Sequence, residues 1–448
     1  MPSNDAAPKV PTPWLQWKWI PVYILLLIPI LWISGGLSSI LNWRIRQAMA
    51  AREFDVAESL IEWTSQLYCS NGETAFWNAR LHRKRLDVEA VPAMLQLAFD
   101  RGFDKDRIAR ESVLLQVQTG EIDEVSREIE AMIADPGEDG AEICEAYTNG
   151  ALINGETSLA LTTIQIWKDE FPTDAQPYYA LARVLEHQRR EKEAREQLEF
   201  AVQKCSRHWP SRYALARLLI DANRATEAMT LIEPARVMRH NGAMLYLLAR
   251  CQRTTGSASE AAALLRQVLD TGTDEISLAF RCVGEAGDST VVKLELASVE
   301  AGEQNYDTAV ALLDEVLTDD PQNLDARYLR GTSLRSLKKF EAATSDLQQV
   351  EQIREMLKEV DQLVDQVEQN PSEPQLEKRF RIGEIYIKYE SGRRGEFWLR
   401  DVLNRNPAYL PAHALLAEYY EKLAQKRSAY AVLAEKHRRA AQINAPTQ

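Results

Sequence analysis

The chain has 448 residues, of which 45% are hydrophobic and 27% are charged, the composition of a folded protein with a charged surface. Its formal net charge of −13 argues against a general role in nucleic-acid binding, because phosphate binding needs a surplus of Lys and Arg on one face. The five cysteines are widely spaced and form no paired motif, so the sequence predicts neither a disulfide framework nor a zinc site.

The chain begins with a Pro- and Ala-rich stretch, and residues 1–18 are predicted to be a disordered tail. From Trp19 to Leu41 the sequence carries no charge, and a helix rising about 1.5 Å per residue over this length crosses the hydrocarbon core of a bilayer. Aromatic residues flank the run at both ends, as they do at membrane interfaces. We therefore predict a single transmembrane helix over residues 19–43.

Two other interpretations of this run are a cleaved signal peptide and a buried core helix. The small residues around Gly35 would suit a cleavage site, but the apolar run resumes after them, which favours an uncleaved anchor. The basic residues on the two sides of the span nearly balance. The short basic tail favours a cytoplasmic N-terminus, with the large C-terminal part on the non-cytoplasmic side.

After the span, two helical patterns recur with a fixed period. Ala182 and Ala216 lie 34 residues apart, as do Ala194 and Ala228, and such a period is typical of a helical repeat. We call the small residue of each first helix its marker. The markers are Ala79, Val113, Thr148, Ala182, Ala216, Ala249, Ala297, Gly331, Gly383 and Ala417. In most units a second, usually small, residue follows its marker by twelve positions, and helix breakers such as Pro172 and Pro321 separate the units.

These residues resemble the tetratricopeptide repeat family, most closely in YYALARVLEHQRREKEAREQLEFAV and RYALARLLIDANRATEAMTLIEPA. The resemblance implies an all-α fold, a right-handed superhelical solenoid of about ten helix pairs whose concave groove binds peptides or proteins. The resemblance also implies divergent repeats over residues 44–141, where Val113 and Val125 replace small residues. It implies a main array over 142–350, a C-terminal pair of repeats over 375–441, where Gly395 replaces the usual alanine, and a tail over 442–448.

Two insertions interrupt the period. Residues 270–289 carry apolar residues between glycines and are predicted to form a short helix that fills the joint. Residues 351–374 are predicted to be an extra amphipathic helix and a linker, with apolar residues at three- and four-residue steps up to Val367. An added helix on the solenoid edge is favoured over a coiled-coil partner site, because fewer than three heptads are sustained.

The sequence contains no phosphate-binding loop, dinucleotide fingerprint, zinc-protease motif or nucleophile elbow. Cys205 and His208 are spaced like metal ligands, but two ligands are too few for a structural zinc site. We therefore predict no enzymatic activity, no cofactor, no metal, no nucleic-acid partner and no small-molecule substrate.

One set of residues stands out as a candidate binding surface. Tyrosine and arginine recur four residues apart on three consecutive first helices, so each pair shares a helix face. In the family this face lines the groove. The predicted partner-binding residues are Phe76, Arg80, Tyr179, Arg183, Tyr213, Arg217, Tyr246, Arg250, Arg253, Tyr328 and Arg335.

Such a row suits an acidic extended peptide, because arginine binds carboxylates through two hydrogen bonds and tyrosine supplies apolar area. The competing interpretation is structural, with each tyrosine and arginine stacked on one another. The sequence as a whole favours a membrane-anchored scaffold that binds a protein or peptide partner. The alternatives are an assembly or accessory factor for a cell-envelope or secretion complex and, less favoured, an enzyme with an unrecognised site.

Overall fold

In the computed structural model, the described residues are 35–370, 373–390, 392–424 and 430–443, and they form helices and connecting turns with no strand. They fall into two compact units, divided between Leu115 and Gln116. The first unit holds the helices α1 Gly36–Ala50, α2 Phe54–Gln66, α3 Gly72–Lys84, α4 Val91–Asp100 and the start of α5 Lys105–Gln118.

The second unit holds the end of α5, the remaining α-helices and three short 3-10 helices, Asp123–Val125, Gly137–Asp139 and Glu233–Val237. Its further α-helices are α6 Ser126–Ala134, α7 Gly140–Ile153, α8 Thr157–Glu170, α9 Gln176–His187, α10 Glu191–Lys204, α11 Trp209–Asp221, α12 Ala225–Ile232, α13 Gly242–Thr254, α14 Ala258–Leu269, α15 Thr273–Cys282, α16 Ser289–Gly302, α17 Tyr306–Asp319, α18 Leu324–Ser336, α19 Phe340–Gln369, α20 Leu376–Tyr389, α21 Gly392–Arg405, α22 Leu410–Ala424 and α23 Tyr430–Ile443.

In the first unit, a polar network holds α1 against the start of α3. Asn71 caps α3 by accepting a hydrogen bond from the backbone N–H of Thr74 at 3.0 Å, and the Thr74 side chain completes a capping box. Asn42 of α1 donates to the same Asn71 oxygen at 2.9 Å and accepts from the Thr74 hydroxyl at 2.9 Å. Around this network Ile45, Ala79 and their apolar neighbours form the core of the unit.

Most of the marker residues lie where the two helices of a pair pack together. Nine of the ten are buried, and Val113, the largest, is half-buried. The position twelve residues later is also buried from Val125 to Ala343, whereas Ala429 lies outside the described residues. Small side chains allow the two helix backbones to approach closely, and the period in the sequence therefore marks a packing contact.

The same turn follows the first helix in eight of these pairs. The residue seven positions after the marker has φ between 58° and 93° in every case, at Leu86, Gly120, Gly155, Arg189, Asn223, Gly256, Gln304 and Lys338. The next backbone N–H then bonds back to the carbonyl five residues earlier, as Arg190 does to Leu185 at 2.9 Å. Five of the eight are not glycine, so packing of the pair outweighs a cost of about 1–2 kcal/mol at each.

The two insertions have different structures. Residues 273–282 form the short helix α15, as predicted. The predicted amphipathic helix near 351–370 is the second half of α19, which runs without interruption from Phe340 to Gln369. No Gly or Pro occurs within this helix to end it earlier. Its buried Val360 and Val367 pack with Ile382 and Ile385 of α20, so its second half covers the next helix pair.

Gly395 lies in a regular helix, α21, at a close contact between two helices. A Cβ atom at this position would lie 2.7 Å from the carbonyl oxygen of Gly383 and 2.3 Å from the Ile387 side chain. Glycine replaces the usual alanine here because α20 and α21 approach too closely for a methyl group.

The predicted N-terminal tail and most of the predicted transmembrane helix, up to residue 34, lie outside the described residues, as does the tail from 444. Among the helices that the structure does describe, none combines the length and the apolar character that crossing a bilayer requires. Residues 36–43 of the predicted span belong to α1, where Leu41 is buried and Ile40 and Trp43 are exposed. The helix α1 thus crosses the predicted boundary at residue 43 and continues to Ala50.

Two histidines that are 24 positions apart in the sequence meet in the last helix pair. The Nδ1 atoms of His413 and His437 lie 2.9 Å apart, so one ring donates a hydrogen bond and the other accepts it. The His437 ring also stacks on Tyr420, with 5.6 Å between the ring centroids. Burial lowers the pKa of His437 to about 4, and the neighbouring charges of His413, Arg400 and Lys436 act in the same direction.

Acidification is expected to loosen the pairing of α22 with α23. The pKa of His437 in the folded protein lies below its ordinary value of 6.5, so its neutral form stabilises the fold fully above pH 6.5, and this stability is lost as the pH falls towards 4. Hydrogen exchange of amides in α22 and α23 at pH 7.5 and pH 5, corrected for intrinsic rates, measures the effect. A His437→Phe variant keeps a ring on Tyr420 and takes up no proton, so an equal pH response in this variant would contradict the prediction.

Candidate functional site

Three Tyr–Arg pairs occupy equivalent positions on α9, α11 and α13, and we call them the ladder: Tyr179 with Arg183, Tyr213 with Arg217, and Tyr246 with Arg250. All three tyrosines are buried, and all three arginines are half-buried. The Arg183 guanidinium lies 6.0 Å from the centre of the Tyr179 ring. The structure therefore brings the predicted pairs onto one face, with the rings inside and the charged groups nearer the surface.

The ladder is covered by part of the insertion, residues 273–288, which we call the covering segment. Phe280 of α15 packs its ring against the second and third tyrosines, with centroid distances of 6.3 Å to Tyr213 and 5.6 Å to Tyr246. Beyond the helix, the Tyr179 hydroxyl donates a hydrogen bond to the carbonyl oxygen of Gly284 at 3.3 Å. The insertion thus contacts all three tyrosines in addition to filling a joint between repeats.

Burial disfavours the ionised form of the ladder tyrosines. It raises the pKa of Tyr179 and of Tyr246 to about 12, and it raises the pKa of Tyr213 as well. Glu285 adds to the shift at Tyr179, whereas Arg183 opposes it. All three hydroxyls are protonated at neutral pH, as tyrosine ordinarily is, and the Tyr179 hydroxyl donates its hydrogen bond to Gly284.

Each ladder arginine pairs with a carboxylate of the same chain. Arg183 donates to Glu285 of the covering segment. Arg217 and Arg250 reach back to the preceding first helix, to Glu186 at 2.5 Å and to Asp221 at 3.0 Å. Arg253, one turn beyond the third pair, contacts Glu295 of α16 at 2.7 Å. Basic and acidic groups therefore alternate across the ladder face, and a partner's carboxylate would compete with these internal partners.

The sequence prediction included the arginines and missed their acidic partners. The sequence did contain a signal for them. Glu186 follows Tyr179 by seven residues and Asp221 follows Tyr213 by eight, so each acid lies about one turn beyond the arginine of its own helix. Each of these acids pairs with the arginine of the following repeat. Only the stacking of repeats in space reveals that pairing.

Phe76 and Arg80, which repeat the spacing in the first unit, lie in its core. Their exposed fractions are 0% and 6%. Arg80 donates to Glu111 at 2.7 Å, and the same carboxylate accepts from Arg83 at 2.6 Å. The Phe76 ring stacks on Phe103 with 4.8 Å between centroids. The structure therefore places both residues in the packing of unit 1, away from any surface that a partner would contact.

Tyr328 and Arg335 of α18, the last predicted residues, have exposed side chains. The Arg354 guanidinium of α19 lies 5.1 Å from the centre of the Tyr328 ring, an arginine that the sequence prediction did not include. Stacked arginine and tyrosine offer both charge and apolar area to a partner.

Of Cys205 and His208, the histidine has a structural role. His208 caps α11, where its Nδ1 atom lies 2.7 Å from the Ser211 hydroxyl, and its Nε2 atom lies 2.8 Å from the side-chain oxygen of Gln176. Both ring nitrogens therefore have protein partners.

Residues 213–276 and 294–354 match the family model described as Tetratricopeptide repeat. These two segments are tetratricopeptide repeats. They contain the second and third ladder pairs, Phe280 lies between them, and Tyr328 and Arg335 fall in the second. A search of curated protein sequences found no match.

Solved structures with distant similarity include PilF of Pseudomonas aeruginosa, at 18% identity and a TM-score of 0.39, covering 48% of this chain and 92% of that one. The human IFIT1 dimer with m7Gppp-AAAA matches at 12% identity and a TM-score of 0.42, covering 84% of this chain and 87% of that one. The APC/C hetero-tetramer Cut9–Hcn1 matches at 12% identity and a TM-score of 0.36, covering 90% of this chain and 94% of that one. At this level of similarity the ligands and partners of these proteins say nothing about this chain.

The ion pairs between neighbouring first helices should stabilise the array. Arg217→Glu sets a second carboxylate against Glu186, and the double variant Arg217→Glu with Glu186→Arg restores an opposite pair. Because the two side chains are 30% and 16% exposed, we expect a coupling free energy of about 1 kcal/mol. Hydrogen exchange in α9 and α11 of both single variants and of the double variant measures it. Additive effects of the two substitutions would contradict the prediction.

Proposed function

We propose that this chain is a scaffold that is anchored in a membrane through residues 19–43 and binds a protein or peptide partner on the ladder face of its tetratricopeptide array. Stacked helix pairs create extended binding surfaces because each repeat contributes equivalent positions to one continuous face. The ladder uses this property by repeating the same two residue types on the first helices of three consecutive pairs.

The observation that carries the proposal is the mixture of groups on this face. Tyrosine rings lie beneath arginines that are 20–40% exposed, and Glu285, Glu295 and Asp221 alternate with these arginines. Aromatic and arginine side chains are enriched where proteins bind one another, and the carboxylates disfavour a phosphate backbone. We propose an acidic, extended segment as the partner, since its carboxylates match the groups that the arginines already hold.

Reversing the charge of Arg253, which lies one turn beyond the third ladder pair, is expected to weaken partner capture. Arg253→Glu brings a carboxylate beside the ladder, where it repels an acidic partner as well as Glu295. The matched control is Arg224→Glu, because Arg224 is also an exposed arginine that pairs with a glutamate at 2.7 Å, on another part of the array. The measurement is quantitative affinity capture from membranes of the native host, with the full chain as bait.

A protein captured by the wild-type chain and by Arg224→Glu should be at least about tenfold depleted with Arg253→Glu, which corresponds to 1.4 kcal/mol. Equal depletion by both variants would place the partner's contact elsewhere, and hydrogen exchange of both variants verifies that the array is folded.

The membrane anchor is supported by the sequence of the apolar run and by the helix that follows it. Ile40 and Trp43 of α1 are 49% and 56% exposed, and they lie at the end of the predicted span. Tryptophan is enriched at the headgroup level of bilayers, where its ring is amphipathic. We propose that these two side chains contact the membrane surface and that the repeats lie on the non-cytoplasmic side.

The proposed orientation predicts the behaviour of a reporter enzyme fused after Gln448. A reporter that works only in the cytoplasm should be inactive, and one that works only outside the cytoplasm should be active. The reverse pattern would overturn the orientation. Release of the chain from membranes by high salt or alkaline carbonate would overturn the anchor itself, and an Ile28→Arg variant, with a charge in the apolar run, is expected to weaken membrane retention.

A further inference from the structure

The covering segment contacts the ladder as a bound peptide would. It supplies an aromatic ring to two tyrosines, a backbone carbonyl to the third, and a carboxylate to Arg183. Four of its apolar side chains, Ile276, Ala279, Phe280 and Val283, are buried. The ladder face is therefore occupied in this structure by a segment of its own chain.

The fit between the segment and the ladder is close. Gly284 has a φ of 75°, and a Cβ atom at this residue would lie 2.5 Å from the Tyr179 hydroxyl oxygen. A Cβ atom at Gly287 would lie 2.5 Å from the Phe280 ring. A side chain at either position would displace the segment or the residues that it contacts. Only glycine therefore allows the backbone to lie this close to the Tyr179 and Phe280 rings.

The segment is an addition to the repeat period. The markers Ala249 and Ala297 are 48 residues apart, whereas Ala216 and Ala249 are 33 apart. The helices on its two sides nevertheless pack directly, because α14 contacts α16 and α13 also reaches α16. The repeats on the two sides therefore contact each other directly, and the segment adds its buried side chains to the core that they share.

We infer that residues 273–288 are an internal ligand of the ladder, and that the partner binds there by replacing this ligand with a segment of the same chemistry. The acidic partner of the proposed function would then bind as the internal ligand does and not as a fully extended chain. It would begin with a short amphipathic helix that has an aromatic residue on its buried face, and continue through a glycine turn to a glutamate. The inference rests on the proposed function for the identity of the site. Tethering gives the internal ligand a high effective concentration, so the partner competes with it.

Supplying the segment as a separate molecule tests the inference. In one variant of the full chain, kept in detergent, a Gly-Ser linker of equal length replaces residues 273–288. The probe is a fluorescent synthetic peptide of residues 272–289 carrying Cys282→Ser, followed by anisotropy. The peptide should bind this variant at least tenfold more tightly than it binds the wild-type chain. Adding Arg183→Glu to the variant, or Phe280→Ala to the peptide, should weaken binding.

A folded linker variant that binds the peptide no better than the wild-type chain does would overturn the inference. Binding that is unchanged by both Arg183→Glu and Phe280→Ala would also overturn it, because the peptide would then be held elsewhere.

A second variant keeps the full sequence length and covers the case in which the linker variant fails to fold. Gly284→Val should clash with the Tyr179 hydroxyl and release the segment, so hydrogen exchange should rise in residues 273–288 while α14 and α16 stay protected. The matched control is Gly302→Ala, where an added Cβ meets nothing within 4 Å. A parallel rise in α14 and α16 would show that the solenoid needs the segment in place and would overturn the inference.

The two proposals fail separately. If the peptide binds the linker variant but Arg253→Glu still captures every partner, the internal ligand stands and the proposed function is rejected. If Arg253→Glu loses a partner but the peptide does not bind the linker variant, the proposed function stands and the internal ligand is rejected.

Discussion

The close approach of two helices at a small residue is the contact on which the rest of the second unit depends. Ala182, Ala216 and Ala249 are buried at these contacts, and where glycine takes the place, as at Gly331, an added Cβ would lie 3.0 Å from Leu347. The contact sets the rotation of each first helix. The ladder follows from it, since each tyrosine lies three residues before its marker and each arginine one residue after it.

A face built in this way repeats its charges as well as its shape, and a row of unpaired arginines would repel itself. The chain offsets this repulsion with acids drawn from three sources, the preceding repeat at Glu186 and Asp221, the next repeat at Glu295, and the covering segment at Glu285. Pairing restrains the long arginine side chains in one arrangement. A partner therefore meets an ordered surface, and it gains affinity only by making better contacts than the acids that it displaces.

Local pattern predicted much of this structure. The markers, the short helix at 273–282 and the shared face of the Tyr–Arg pairs each depend on spacings within one helix or one period. The contacts that sequence reasoning missed join residues far apart in the chain, such as Tyr179 with Gly284 or His413 with His437. Helical periodicity carries no information about such pairs, because they depend on how successive repeats stack. The burial of Phe76 has the same origin, since its spacing matches the ladder while its neighbours differ.

The uninterrupted helix α19 has a consequence for how the molecule unfolds. Its 30 residues extend about 45 Å, and its first half packs on α18 while its second half packs on α20. In an ordinary repeat array each module meets its neighbours only through side chains, so stability is close to a sum of modules and interfaces. Here one continuous helix, α19, is shared by two neighbouring helix pairs. Melting of either module frays a helix that the other needs, so α18 to α20 form a single cooperative block within an otherwise divisible array.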